Sequence, residues 1–273
     1  MTKRDVALWI FSLVVVLSNI RDISPSRRSS PVALAKKFDR IKKTETPSTS
    51  TFRTTAPRTA GRFFGLLIGV NHYYGEHSLV GPAEDANDLR KILVNEGIAN
   101  ENDLYVHTDE TANLGLIQDD IRLVAADAQM SDTFLFYFDG HGNREALGLP
   151  RQEITQSRLA SWLQQIHTGH TIIVIDSCHA GAWEPLAWND GRYGLFSSHA
   201  GELSSTAPRL KAGGFLAYFF EQSLLDLNVG GSTTFSDLQE YLQQRYDREA
   251  PTDQHLVVST SIDAVLWNRT LTR

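Results

Sequence analysis

One cysteine occurs in 273 residues, Cys178, in the run Asp176-Ser177-Cys178-His179-Ala180-Gly181 that follows the apolar stretch at 171–175. A second polar cluster, Asp139-Gly140-His141-Gly142, follows the apolar stretch at 133–138 in the same way. A thiol attacks as its thiolate, and at neutral pH it needs an imidazole nearby to become one. Acyl transfer also needs backbone N–H groups aimed at the developing oxyanion. Cys178 and His141 are therefore the candidate nucleophile and base, and the N–H groups of Gly142 and Cys178 the candidate oxyanion donors. Gly140 and Gly142 let the backbone approach a substrate closely. A lone cysteine forms no intramolecular disulfide and suits a reducing compartment. Without these neighbours it would read as a small buried hydrophobe.

Two strands must hold these clusters side by side, because open parallel sheets bind ligands beyond the carboxyl ends of their strands. The pattern along the chain predicts such a sheet. FFGLLIGV at 63–70 is a short apolar run of the kind a buried parallel strand makes, followed by a helix over 82–96 that stops at Gly97. A strand at 104–107, a helix near 113–128, strands at 133–138 and 171–175 and a helix near 156–165 come next. A polar segment at 183–212 contains a strand near 193–197. Helices at 214–227 and 235–247 and an edge strand in 255–261 complete the order. Strands alternating with helices indicate an α/β fold with a mostly parallel central sheet covered on both faces.

These clusters resemble the caspase/metacaspase family of cysteine peptidases, which carry His-Gly after one strand and Asp-x-Cys-x-x-Gly after the next. LLIGVNHY resembles the family's first strand, GPAEDANDL the loop and helix after it, and GGFLAYFFEQSLL the helix beyond the catalytic region. The resemblance runs over residues 63–267. It implies a three-layer caspase-like sandwich with helices on both faces, a His141/Cys178 dyad and a thioester intermediate. It also implies that Asp176 lines the primary pocket, as the matching acid does in metacaspases, and that Asp85 is its second acid. Two carboxylates there favour Arg or Lys before the scissile bond through charge-assisted hydrogen bonds. The chain departs from the family at Asp139, where Ser is common; its carboxylate would orient His141 or face solvent at the strand end. Arg192, Arg209 and Lys211 are candidate self-cleavage points. Trp183 and Trp188 would contact substrate or pack beneath the loop, and His179 points away from its neighbour Cys178.

No cofactor is implied. Calcium activation occurs among metacaspases, yet no acidic loop here is diagnostic of it. His141, Cys178, His179 and Asp139 offer metal-ligand atom types in a spacing that fits no recurring zinc pattern, so no metal ligand is assigned.

Upstream, Val6–Ile20 is apolar and about 15 residues long, shorter than the roughly 20 needed to span a bilayer comfortably. Residues 1–22 read as an anchor or signal segment with membrane association through residues 6–20, and residues 23–62 as a basic Ser/Thr/Pro-rich disordered tether. The peptidase domain occupies 63–273. Residues 1–62 hold 13 Lys/Arg against 4 Asp/Glu, and the remainder 13 against 28. Basic residues after the apolar run put the domain on the cytoplasmic side of a membrane, with an exported form as the rival. The acidic domain argues against nucleic acid and for protein or peptide substrates with basic residues at the cleavage site. Beside the endopeptidase stand a zymogen awaiting its activator, a catalytically silent caspase-like binding module, a metal-dependent hydrolase and a legumain-like variant of the same dyad.

Overall fold

A computed structural model describes residues 61–227, 232–260 and 265–268. The apolar run at 6–20 and nearly all of the tether lie outside them. Six strands form the main sheet: β1 (Phe63–Gly69), β2 (Leu104–Thr108), β3 (Thr133–Asp139), β6 (His170–Asp176), β7 (Arg192–Phe196) and β9 (Val257–Ser259). Their order is β2-β1-β3-β6-β7-β9. All pairs are parallel except β7 with β9, which is antiparallel and makes β9 an edge. A hairpin of β4 (Ala146–Gly148) and β5 (Glu153–Thr155) follows the His141 cluster, and β8 (Ser232–Thr234) pairs with β10 (Val265–Asn268). None of these four short strands is signalled by hydrophobic periodicity, because two or three alternations carry too little pattern.

Five helices cover the sheet: α1 (Pro82–Asn95), α2 (Leu114–Asp127), α3 (Gln156–Gln165), α4 (Phe215–Leu227) and α5 (Phe235–Glu249). Side chains of a strand alternate between faces, and here the alternation divides the core in two. Leu67, Leu135, Tyr137 and Val174 pack with α1, α4 and α5. Phe64, Phe134, Phe136, Phe138, Ile173 and Ile175 pack with α2 and α3. The result is the three-layer α/β sandwich expected from the sequence. Burying each such side chain contributes about 1.5–3 kcal/mol, which fixes the strand register that the site depends on.

The helix starts are set locally. Pro82 opens α1, where a missing N–H costs nothing. Asn113 and Thr155 cap α2 and α3 by accepting from Leu116 and Arg158 N–H, and Thr234 with Asp237 makes a capping box for α5. Asn71, just past β1, accepts from Ala83 N–H at 3.0 Å and donates to Glu84 at 2.8 Å, which ties the start of α1 to the end of the strand. Arg192 sits in β7 and donates to Leu186 and Leu163 carbonyls. Its side chain is thereby tied down at the start of a central-sheet strand, whereas Arg209 and Lys211 are exposed.

Candidate active site

β3 and β6 are neighbours, in a register that pairs Asp139 with Asp176. Both strands therefore end at one level, and His141 and Cys178 each follow two residues later. The two side chains line one cavity of about 80 Å³, together with Asp139, Asp176, Ser204 and Gly213. Cys178 is half-buried, and its thiol donates to the Ser204 carbonyl at 3.7 Å.

His141 is held at three points. Its N–H donates to the Tyr73 hydroxyl at 2.8 Å, its ring lies 4.7 Å from the Tyr73 ring, and its Nε2 is 2.7 Å from the His77 carbonyl. A carbonyl only accepts, so Nε2 carries the proton and Nδ1 is left as the basic atom. Gly140 makes the Tyr73 contact feasible: at φ 153° a Cβ there would lie 2.3 Å from the tyrosine oxygen.

Neither expected oxyanion donor, the N–H of Gly142 or of Cys178, has an acceptor among the described residues. Gly148 N–H donates to His141 O and Asn143 N–H to Ala146 O, so Gly142 falls at a non-hydrogen-bonded position and its N–H stays outside the ladder. Around Cys178, Ser177 N–H donates to Ser197 Oγ, His179 N–H to Glu202 O and Ala180 N–H to Ser198 Oγ. The Cys178 N–H has no such acceptor among the described residues. Gly142 also abuts the side chain of Ser177, the residue before Cys178.

Carboxylates crowd the other end of the cavity. Asp176 accepts from Ala217 N–H at 2.9 Å and from Ser204 Oγ at 2.8 Å, sitting at the N-terminus of α4. Gly214 permits that approach, since a Cβ there would lie 2.0 Å from Asp176 Oδ2. Asp85 accepts from Gly213 N–H at 2.6 Å and shares a hydrogen bond with Asp139. Burial raises all three carboxyls. Asp85 is pushed up to about 6, partly offset by the Gly213 N–H; Asp176 is raised; and Asp139, with Asp176 and Asp85 beside it, lies well above the carboxylate range. Asp139 Oδ2 is buried and has no partner among the described residues.

Asp139 does not orient His141 as one reading of the sequence supposed. Its position in β3 has the same parity as Leu135 and Tyr137, so its side chain turns toward α1 and α4, where Asp85 lies. The loop carbonyl of His77 takes the orienting role instead. Tyr73 and His77 escaped sequence reasoning, although Asn71-His72-Tyr73-Tyr74 after the first strand is a polar, aromatic patch where a ligand would bind. Trp183 is fully buried and donates to Asn143 O at 3.0 Å beneath the His141 loop, whereas Trp188 is exposed. His179, with φ 59°, turns away toward Ala200 O.

Beyond His141 and Gly142 opens a wider cleft of about 610 Å³, walled by Tyr73, Tyr74, Arg151 and the β4–β5 hairpin. No described helix is long and apolar enough to cross a membrane.

Several known proteins are similar to this chain. Metacaspase-1 of Candida albicans is 29% identical over 90 residues, 31% of this chain and 20% of that protein. Metacaspase-1 of Scheffersomyces stipitis is 26% identical over 133 residues, 46% of this chain and 32% of its own length. The matched stretch thus spans at most a third of these relatives. The crystal structure of a Geobacter sulfurreducens protein shares the fold, with a TM-score of 0.58 at 14% identity, over 77% of this chain and 98% of that one. A caspase-domain family model, Peptidase_C14, matches residues 62–272. That span takes in every described strand and helix and both strand-end clusters, and the chain belongs to the caspase-domain family of peptidases.

Proposed function

We propose that the protein is a cysteine endopeptidase that uses His141 and Cys178 to cleave after Arg or Lys. The observation that carries the reading is a single cavity bounded by the thiol, the imidazole and buried carboxylates. His141 Nδ1 takes the Cys178 proton, and the thiolate attacks the scissile carbonyl carbon. Gly142 and Cys178 N–H groups hold the oxyanion. As the C–N bond breaks, His141 returns the proton to the leaving amine, and a thioester remains on Cys178. Water, deprotonated by His141, then hydrolyses the thioester. Because His141 serves the leaving amine, the leaving segment runs over His141 into the wider cleft.

Asp85 and Asp176 would bind the basic side chain, and Asp139 supplies a third carboxyl at the same spot. A guanidinium among them restores their charge and satisfies the bare Asp139 Oδ2. An Asp side chain would meet only like charge.

Ser204 favours a second element of the reading, that the chain rests in a latent state. Its carbonyl accepts from the nucleophile and its hydroxyl from one side occupies Asp176. Both are positions a substrate needs. The segment around Ser204 must therefore swing aside before each cleavage, so the resting enzyme turns over slowly. Membrane association through residues 6–20, with the domain on the cytoplasmic face, completes the proposal on the charge pattern of the sequence.

Fluorogenic peptides ending in Arg, Lys or Asp test it, with Cys178→Ala as control. Cleavage after Arg and Lys that vanishes in the variant is expected; cleavage after Asp alone sinks the specificity, and cleavage that survives Cys178→Ala sinks the mechanism.

A further inference from the structure

Next to the latent segment, outside the dyad and its pocket, two imidazoles and a carboxylate converge. His199 and His255 stack with ring centroids 5.2 Å apart, 10° from parallel. Each directs Nδ1 at the same oxygen of Glu202, at 3.1 Å and 2.8 Å. One ligand atom from each of the three lies within 4.8 Å of the others. We infer that His199, Glu202 and His255 form a binding site for a divalent transition metal, zinc above all, that clamps the segment lying over Cys178.

The donor set selects the ion. Two imidazoles and one carboxylate suit zinc with a fourth position open to water, and the imidazoles disfavour calcium and magnesium, which take oxygen. Zinc bonds of about 2.0–2.2 Å in a tetrahedral arrangement put ligand atoms roughly 3.3 Å apart. Both His–Glu pairs are within a few tenths of an ångström of that. Both rings are exposed, and moving each ring proton from Nδ1 to Nε2 frees the lone pair the metal takes.

The carboxylate is also pre-oriented. Glu202 Oε2 accepts from the N–H groups of His199 and His255, each at 3.0 Å. Backbone donors fixing a ligand carboxylate are what metal sites use behind their ligands.

The site is coupled to the nucleophile through short covalent paths. Glu202 O accepts from His179 N–H, the residue after Cys178. Two residues beyond Glu202 stands Ser204, on the thiol and on Asp176. Next to His255, Gln254 holds Ser205 N–H at 2.9 Å and the Ser204 hydroxyl at 3.0 Å. A metal joining residues 199, 202 and 255 therefore fastens both ends of the contact that keeps Ser204 in place. Only this consequence rests on the peptidase reading; the binding itself does not.

The test titrates untagged full-length Cys178→Ala with zinc chloride by calorimetry, so that the thiol cannot hold the ion. One zinc per chain is expected, with affinity about tenfold or more weaker in His199→Ala and in His255→Ala, each shown folded by circular dichroism. Cobalt(II) in place of zinc should give a visible ligand-field band that the same variants lose. No binding to Cys178→Ala, or equal binding by all three chains, overturns the site. For the clamp, alkylation of Cys178 by iodoacetamide in the otherwise unaltered chain should slow with zinc, and slow less in His255→Ala. Equal slowing in both overturns the coupling. None of these readouts requires turnover, so a chain that binds zinc and cleaves nothing separates this inference from the peptidase proposal.

Discussion

The imidazole of His141 gives its Nε2 proton to the main-chain carbonyl of His77, 2.7 Å away. The proposed base is thus steered by a loop between β1 and α1, which also holds Tyr73 under the ring. Because the acceptor is backbone, His77→Ala should leave kcat/KM for an Arg peptide within about twofold. Deleting Glu76 and Ser78 together, which drags the carbonyl away, should lower kcat by about a hundredfold, the scale of a misaligned general base. Equal activity after the deletion would mean that the carbonyl does no orienting.

Selectivity should follow the buried carboxyls. Asp139→Ser keeps a small polar group at the end of β3 and should reduce the preference for Arg over norleucine by about tenfold, through a KM effect. Asp176→Asn should reduce it further. The pH profile has a sign of its own: Asp85 is raised to about 6 by burial, so kcat/KM for an Arg peptide should climb as pH rises through 6 and the carboxylate ionises. A norleucine peptide should lack that step, and identical profiles for the two would remove Asp85 from the pocket.

Ser204→Ala removes the hydroxyl that covers Asp176 and that Gln254 holds. Loss of these two hydrogen bonds should cost about 1 kcal/mol of stability. Alkylation of Cys178 and hydrolysis of the Arg peptide should both become faster by severalfold. Unchanged alkylation would show that the segment does not shield the thiol.

Glu221 in α4 is buried, its Oε1 lacks a partner among the described residues, and burial followed by the charge of Asp85 pushes it up to about 9. A carboxyl raised in the folded state binds more protons there than in the unfolded chain, so stability is highest below the ordinary carboxylate value and falls as pH rises toward 9. The slope is on the order of 1 kcal/mol per pH unit. Glu221→Gln should therefore raise Tm at pH 8 and leave it nearly unchanged at pH 4. A uniform shift at both would assign Glu221 a packing role alone.

Much of the layout could be read from spacing. The runs at 63–70, 133–138 and 171–175 are long and apolar enough to declare parallel strands, and all of their residues are buried, while Gly97 and Pro82 bracket the first helix. His141 and Cys178 were legible because each follows such a run at the same offset. Alternation along β3 also carried the orientation of Asp139, since residues 135, 137 and 139 share a face; the information was present and the family's Ser at that place obscured it. Ser204 and Gln254 are different. They reach the thiol through contacts across 26 and 50 residues of sequence, and no local period records which loop folds back over a site. His199 and His255 meet for the same reason, on a turn and before an edge strand that only the antiparallel β7–β9 pairing brings together.

The carboxyls paired across β3 and β6 carry one more implication. Among the described residues no cation is paired with Asp85, Asp139 or Asp176, so above neutral pH the fold bears a standing electrostatic penalty at the floor of its own cleft. A basic side chain entering there relieves it. If the proposed specificity holds, recognition and folding draw on one free energy: the Arg or Lys peptide bound best will also be the one that most raises the melting temperature, and by more at alkaline than at acid pH. The unoccupied protein is, in that sense, a fold completed by its substrate.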